Sequence, residues 1–537
     1  MTQLYPMTGG LLLPTQRAIG LKPQALTEQP PRLVFALQQR HLRYGSVVKL
    51  GQLVFANQVI AQSIGSEPIA LHTGLAGQVT SIDDHSIELR TNSNMPTHKQ
   101  PIPVSMTTLK HTPLAKGLRE LGLLGLGGAG FPTALKIHRI HTLLINGVEC
   151  EPLLVTDASL MTYHADQIIQ GLYQLLTHQD IQLRRLIIAI EADKPQAITA
   201  MRQALQIHTW SLQPELIIIP TRYPAGGERQ LYQQLFGEKL PAAVKMSDQG
   251  VACLNVHTLL AINNGFNGQP LTHRLVSILG NGIAQPQQLW LPIGTPISWL
   301  LTYCGALHEP LEVRIGGPIM GQRIDQRNQS ITANANTLIV DLVKPTLFEQ
   351  PCIACGQCEP VCPEALAPQD LIALIQSQPQ QQDQQLVEQN LPACIECGVC
   401  DLVCPSHIPL HQYFGQHKSR LKHLADQQQR AQIANATYTR RQERLAKAPK
   451  PNPKPPIEAS RFTPSQPLSS KANSTTKLKT NLAKAQRLYR EAQAALKQAE
   501  KKGLEPTLRK VYESKVGKMH DKVQLAQTAF DTEKGRV

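Results

Sequence analysis

The chain has 537 residues, 53 Lys and Arg against 39 Asp and Glu, and 11 cysteines. That length exceeds one ordinary hydrophobic core and predicts several domains. No stretch approaches 18 uninterrupted apolar residues, so no transmembrane helix is predicted, and the opening MTQLYPMTGGLLLPTQR lacks the basic-then-apolar order of a secretory signal. The expectation is a protein of the cytoplasmic compartment, where thiols stay reduced and clustered cysteines bind metal instead of pairing. The net charge of +14 is unevenly placed. From residue 411 onward 27 Lys and Arg face 10 Asp and Glu, giving +17, which leaves 26 against 29, or −3, for residues 1–410. No nucleic-acid-binding core is indicated; the basic tail suits an acidic partner or anionic lipid headgroups.

The predicted architecture is multidomain α+β. Within residues 1–108, the runs LVFAL, GSVVKLGQLVF, QVIAQSI, GQVTSI and SIELRT alternate with glycine turns and predict a small all-β unit. His41 and His72 there read as surface or packing residues. Residues 109–268 change character: TLLIN, RLIIAIEA and ELIIIPT alternate with the helical-period stretches ADQIIQGLYQLLTH and PQAITAMRQALQI, the pattern of a parallel sheet covered by helices. Residues 269–346 return to short strands with one helical piece, PISWLLTYCG. Residues 347–412 hold the clustered cysteines, and 413–447 form a Gln-, Lys- and Arg-rich helical extension. The run KAPKPNPKPP opens a Pro-rich linker over 448–475. Residues 476–537 predict a basic tail of two helices broken at Gly503–Pro506.

Cys352, Cys355, Cys358 and Cys362 follow C-x2-C-x2-C-x3-C-P, and Cys394, Cys397, Cys400 and Cys404 repeat it. Three thiolates at this spacing wrap one face of a cubane iron–sulfur cluster, and the fourth, turned away by the Cys-Pro step, ligates the other cluster. The expected sets are Cys352, Cys355, Cys358 and Cys404 for the first 4Fe–4S cluster, and Cys394, Cys397, Cys400 and Cys362 for the second. Paired C-x2-C motifs also bind zinc, but two runs of four, each closed by Cys-Pro, do not fit that pattern. Cys150, Cys253 and Cys304 stand alone and read as small buried apolar residues.

The segment GLGGAGFPTALK, residues 125–136, contains G-x-G-x-x-G in Gly125, Gly127 and Gly130, yet follows a helical stretch, LAKGLRELGLL, where a dinucleotide fold has a strand. Its glycines would let backbone amides approach a phosphate. Pro132 would open a helix with an anion-favouring N-terminus, and Lys136 adds a positive charge. With NGVECEP (146–152), YPAGGERQL (223–231) and LNVHTL (254–259), this loop resembles the flavin-binding region of the NADH-oxidising subunit of respiratory complex I. With HTGLAGQV, RIGGPIMG and the two cysteine runs added, residues 10–410 resemble the C subunits of Rnf/Rsx-type ion-translocating electron-transport complexes more closely still.

The resemblance implies a barrel-sandwich-like domain over 1–108 and an FMN/NADH-binding α/β domain over 109–268. It further implies a β-grasp-like domain over 269–346 and a two-cluster ferredoxin-like domain over 347–412. It implies that Gly125, Gly127, Gly128, Gly130 and Lys136 contact FMN, with Asn146 alongside, and that Glu149, Glu151 and Glu228 line the flavin and nicotinamide side. Tyr223, Gly226 and Asn255 would shape the pocket. Against complex I, Val148 replaces an acid, Gly227 a glutamate, Leu254 an asparagine and Ile137 an aromatic. The implied activity is NADH oxidation feeding electrons to membrane-embedded and membrane-anchored subunits, from the cytoplasmic side of the inner membrane, with a ferredoxin-like protein or redox sensor as a further partner. A lipoyl-carrier role is not expected, because the hairpin IALHTGLAGQV has no lysine. The alternative is a flavin-free iron–sulfur relay and docking module.

Overall fold

The computed structural model describes residues 7–13, 21–39, 42–92, 113–137, 139–178, 181–242, 244–307, 310–324, 329–343, 348–377 and 382–447, with scattered positions from 482 onward. The chain divides into two compact units, Met1–Ala436 and Thr437–Val537. His41, the Pro-rich linker and the helix break at 503–506 lie outside the described residues.

The N-terminal β unit forms two four-stranded sheets. In one, Arg32–Ala36 pairs with Ser86–Thr91, which pairs with Gly77–Ile82 and then Leu53–Val54; the other orders Gln38–Gln39, Leu42–Ser46, Val59–Ser63 and Ala70–His72. Period-two alternation sets the register: Leu33 sits opposite Leu89 and Phe35 opposite Ile87, and all four are buried. A one-residue slip would turn that apolar set to solvent.

Residues 142–255 build a four-stranded parallel sheet in the order Glu215–Ile219, Arg185–Glu191, Thr142–Gly147, Val251–Asn255. Its strands are buried on both faces, as parallel strands under helices must be. Alternate side chains feed two cores: Leu143, Ile145, Leu186 and Ile188 enter one, and Leu144, Ile187, Ala189 and Cys253 enter the other. Each buried Leu or Ile contributes about 1.5–3 kcal/mol. The stretches ADQIIQGLYQLLTH and PQAITAMRQALQI form helices Ala165–Leu176 and Pro195–Leu205. In chain order the sheet runs third, second, first, fourth strand. The order therefore reverses between Thr142–Gly147 and Val251–Asn255, and ligand crevices open at such reversals, beyond the carboxyl ends of the strands.

A mixed six-stranded sheet comes next, ordered Pro23–Ala25, Gln287–Pro292, His273–Leu279, Thr337–Leu342, Leu311–Ile315 and Gln322–Arg323. Its edge strand comes from residues 23–25, inside the span expected to be N-terminal β domain. The cysteine region packs around Leu371, Ile372, Leu386, Ile408 and Phe414. The helical extension is one helix, Leu410–Lys447, of 38 residues, and it begins within the cysteine region.

Candidate functional site

At the reversal of strand order, Asn146 and Asn255 stand opposite each other in register. Each uses its side chain to position a loop. Asn146 Nδ2 donates to the Gly226 carbonyl at 2.9 Å, and its Oδ1 accepts from the Val148 amide at 3.0 Å. Asn255 caps helix Val256–Phe266 by accepting from the His257 amide, which satisfies one of the helix's orphan donors. Its Nδ2 donates to Asp157 Oδ2 at 2.5 Å.

The glycine loop lies over this pair. Gly125 and Gly130 close its base, the Gly125 amide donating to the Phe131 carbonyl and the Gly130 amide to the Gly125 carbonyl. The Leu126 amide is held by Thr258 Oγ1, and the Leu126 carbonyl accepts from Arg274 at 2.6 Å. The amides of Gly127, Gly128 and Ala129 make no hydrogen bond among the described residues, and a Cβ at Gly128 would meet open space. Successive unpaired amides in a glycine turn with open space beside them are what an anion site needs, so the loop fits an FMN phosphate. The helix after Pro132 is a single turn, Thr133–Lys136. It is too short for a substantial helix dipole, which leaves the unpaired turn amides as the donors on offer to an anion. Lys136 Nζ donates to Glu228 Oε1 at 2.5 Å and to the Cys253 carbonyl at 3.2 Å. Burial alone would lower the lysine's pKa, but the Glu228 carboxylate holds it raised.

The acids of NGVECEP are engaged by backbone. Glu149 accepts from the Asp157 and Ala158 amides, both at 3.1 Å, at the start of helix Thr156–Tyr163. Burial, then the neighbouring Asp157, pushes its pKa up. Glu151 accepts from the Ile319 and Met320 amides at 2.6 and 2.8 Å, which ties it to the RIGGPIMG turn; burial raises its pKa too. The Gly226 amide donates to Cys150 Sγ at 3.2 Å. A Cβ at Gly226 would stand 2.5 Å from the Val148 carbonyl oxygen, so only glycine lets the two loops meet. Gly127, Lys136, Asn146, Glu149, Gly226, Glu228 and Asn255 are thus brought together around the strand ends where the order reverses, while Glu151 and Tyr223 make their hydrogen bonds to neighbouring units.

Sequence reasoning missed three parts of this site. Arg274 is fully buried and spends its guanidinium on the Ala333, Ala335 and Leu126 carbonyls. Burial lowers its pKa to about 10, leaving it charged at neutral pH. Glu191, at the carboxyl end of its strand, is fully buried with neither carboxylate oxygen hydrogen-bonded among the described residues and Lys194 Nζ at 3.5 Å. Its only sequence signal is position, an acid closing the run RLIIAIE. The third part is the segment around Gly9–Leu11, which meets the cysteine region.

The cysteine runs repeat at the level of backbone. Ala354 and Glu396 both have positive φ, as do Gly356 and Gly398, and Ala365 and His407; each pair occupies equivalent positions in the two runs. One small cavity is lined by Cys352, Cys355, Cys358 and Cys404; another by Cys362, Cys394, Cys397 and Cys400. Each therefore takes three thiols from one run and the fourth from the other, which fits one cubane per cavity. Burial pushes the Cys394 thiol up to about 11 and Cys397 up to about 12, a cost that bound iron would offset. Among the described residues no group of three His, Cys, Asp or Glu is arranged to hold a single metal ion. In the first cavity Cys352 and Cys355 are exposed.

The second cavity abuts the parallel-sheet unit. The Tyr223 hydroxyl donates to the Cys397 carbonyl at 2.6 Å, and Tyr223 packs with Cys397 and Val399. Between them threads the N-terminal segment: the Gly10 amide donates to the Val361 carbonyl at 2.7 Å, and Leu11 pairs with Tyr223. Gly9 and Gly10 have φ of 60° and 75°, and a Cβ on either would sit 2.5 Å from a backbone oxygen, of Cys362 and Tyr223 respectively. Buried Glu364, two residues beyond Cys362, accepts from Gln230 at 2.7 Å and faces Lys239 at 3.2 Å.

Residues 118–264 match the Nuo51 FMN-binding domain and residues 333–408 the 4Fe–4S dicluster domain. The C subunit of the ion-translocating oxidoreductase complex of Pseudomonas aeruginosa is 35% identical over 83% of this chain and 59% of its own length. The same subunit of Yersinia pestis is 32% identical over 83% of this chain and 74% of its own. This chain spans about six tenths of the length of the first curated relatives it matches. Among solved structures, an NAD+-reducing nickel–iron hydrogenase in the air-oxidized state aligns at a TM-score of 0.39 and 17% identity, over 57% of this chain and 66% of that one. With a relative matched at 32% identity over nearly three quarters of its length, the chain belongs to the family of C subunits of ion-translocating oxidoreductase complexes.

Proposed function

We propose that this chain oxidises NADH at the crevice between strands Thr142–Gly147 and Val251–Asn255. Cys362, Cys394, Cys397 and Cys400, and Cys352, Cys355, Cys358 and Cys404, would each hold a 4Fe–4S cluster, which would supply one-electron transfer onward to membrane-bound partner subunits, where ions are moved. FMN supplies the conversion from a two-electron hydride to single electrons, and the protein supplies position and electrostatics. The amides of Gly127, Gly128 and Ala129 bind the phosphate. Lys136, fixed by Glu228, contributes the positive charge, and Asn146 and Gly226 set the width of the crevice. Glu149 and Glu228 are the carboxylates offered to the nicotinamide side, and Gly125, Gly130 and Asn255 hold the frame. We read the flanking units as barrel-sandwich-like and β-grasp-like, and the chain as peripheral on the cytoplasmic face of the inner membrane. A ferredoxin-like protein or a redox sensor is a further partner.

The observation that supports this reading is the contact of Tyr223 with Cys397, which joins the second cysteine site to the loop whose Gly226 carbonyl accepts from Asn146. The exposure of Cys352 and Cys355 supports reading the first site as the exit. Anaerobic purification with iron, sulfide and flavin measured together is the test, expecting about eight irons and one FMN bleached by NADH. Lys136→Ala and Glu228→Gln should each slow that bleaching about tenfold or more, by analogy with loss of one electrostatic contact to a reacting group, with iron unchanged. Iron without flavin would favour the relay-and-docking alternative. Normal NADH kinetics in both variants would remove the crevice from the mechanism.

A further inference from the structure

We propose that Lys418 sets the reduction potential of the cluster at Cys362, Cys394, Cys397 and Cys400, drawing electrons onto it from the crevice side. This rests on reading those cysteines as cluster ligands. Lys418 lies in the third turn of helix Leu410–Lys447, whose first turns place His411 and Phe414 against the same cavity. Its ammonium donates to the carbonyl of the ligand Cys394 and to Glu396 Oε1. Glu396 occupies the positive-φ position that Ala354 holds in the first run, so its carboxylate is what the second run adds there. Gly415 leaves room for the carboxylate, since a Cβ there would stand 3.0 Å from Glu396 Oε2.

The pair does not cancel at the cluster. The Lys418 side chain is 22% exposed and that of Glu396 44%, so water screens the anion more than the cation. Of the other acids nearby, Glu364 faces Lys239 and Arg229, and Asp401 is hydrogen-bonded by the His411 amide and ring Nδ1. Among the described residues no Lys, Arg, Asp or Glu lines the first cysteine cavity, whereas Glu364 and Glu396 line the second and Lys418 reaches the carbonyl of its ligand Cys394. Reducing a cubane adds one electron and one unit of negative charge, and a half-buried cation beside a ligand favours that state. The two clusters are therefore electrostatically unequal, with the one beside Lys418 pulled upward.

An anaerobic redox titration of the cluster-loaded full chain, followed by electron paramagnetic resonance, tests this. Wild type should show two one-electron transitions. Lys418→Met, which keeps the aliphatic stem, should lower one of them by about tenfold in the reduction equilibrium, or ~59 mV for one electron, and leave the other in place. Lys418→Arg should restore it, and Glu396→Gln should shift the same transition upward. A Lys418→Met protein with both potentials unchanged, or both displaced together, overturns the assignment. If that variant fails to load iron, Glu396→Gln decides, and no rise there overturns it equally. A wild-type chain without cubane signals would instead overturn the cluster reading, and this inference with it.

Discussion

Arg274 holds the glycine loop from beneath, and its geometry explains why a lysine cannot replace it. Three carbonyls on two separate segments, Leu126 on one side and Ala333 and Ala335 on the other, converge on one planar guanidinium. A lysine ammonium carries its three donors on one atom and lacks the planar fork that reaches carbonyls on both segments, so at least one of them is left unpaired. Each buried carbonyl left unpaired costs roughly 1–3 kcal/mol. Arg274→Lys should therefore destabilise the core by roughly 1–3 kcal/mol for each carbonyl left unpaired and release flavin before iron. A melting temperature and flavin content equal to wild type would contradict this. Glu191 makes a second residue-scale case, through pH. Burial raises its pKa from 4.5 to about 8, Lys194 opposing and Asp193 and Glu149 reinforcing. The folded chain keeps a proton that the unfolded chain releases above about pH 4.5. Stability therefore falls as pH rises across the window from about 4.5 to about 8, by at most ~1.4 kcal/mol per pH unit. Cys150, Glu149 and Glu151 face the same region and titrate upward as well, so the comparison must be with Glu191→Gln. That variant should lose less stability than wild type between about pH 6 and pH 8.5 in urea unfolding. Parallel pH slopes for the two proteins would rule Glu191 out as the source.

Among the elements, the two cysteine runs were the most legible in sequence and the packing between units the least. Ligand spacing is a local property: Cys-x2-Cys-x2-Cys dictates its own loop, and the repeat of positive φ at Ala354/Glu396 and Gly356/Gly398 comes from wrapping the same shape twice. Strands Thr142–Gly147 and Arg185–Glu191 were legible as apolar runs bounded by turns. Strand Val251–Asn255 was not, because VACLN is short and has a single β-branched residue, yet it completes the reversal on which the crevice depends. Arg274 and Gly9–Gly10 could not be read either. Their partners lie far along the chain or on other units, and no local pattern encodes such contacts. The cavity linings make the cysteine arrangement testable. Cys358→Ser/Cys404→Ser removes two ligands from one cavity and should leave about four irons. Cys358→Ser/Cys362→Ser removes one from each and should fall well below that, although the two cysteines are near neighbours in sequence. Serine can sometimes hold a damaged cluster, so both variants belong in one preparation. The reverse ranking would mean that each run closes its own site.

At the scale of the whole molecule, charge and folding are separated along the chain. Residues 1–410 carry −3 and residues from 411 onward +17, whereas the contacts of helix Leu410–Lys447 with the second cysteine cavity are made by its first three turns, through His411, Phe414 and Lys418. From Lys422 to Arg444 every residue of that helix is exposed, a length of ~35 Å at about 1.5 Å per residue. No helix among the described residues is long and apolar enough to cross a bilayer. A cationic extension of this kind suits an anionic surface, whether lipid headgroups or an acidic face of a partner protein, and such attraction decays within about 8–10 Å at physiological salt. Truncation after Ala446 should leave iron, sulfide and flavin unchanged, because the proposed cofactor-site residues all precede that point. The same truncation should weaken co-sedimentation with vesicles rich in anionic lipid at low salt, and full-length protein should lose its advantage as salt is raised. Equal binding of the two forms at low salt would show that the tail does not attach the chain to the membrane. Loss of iron on truncation would show instead that the cluster region depends on the residues beyond Ala446.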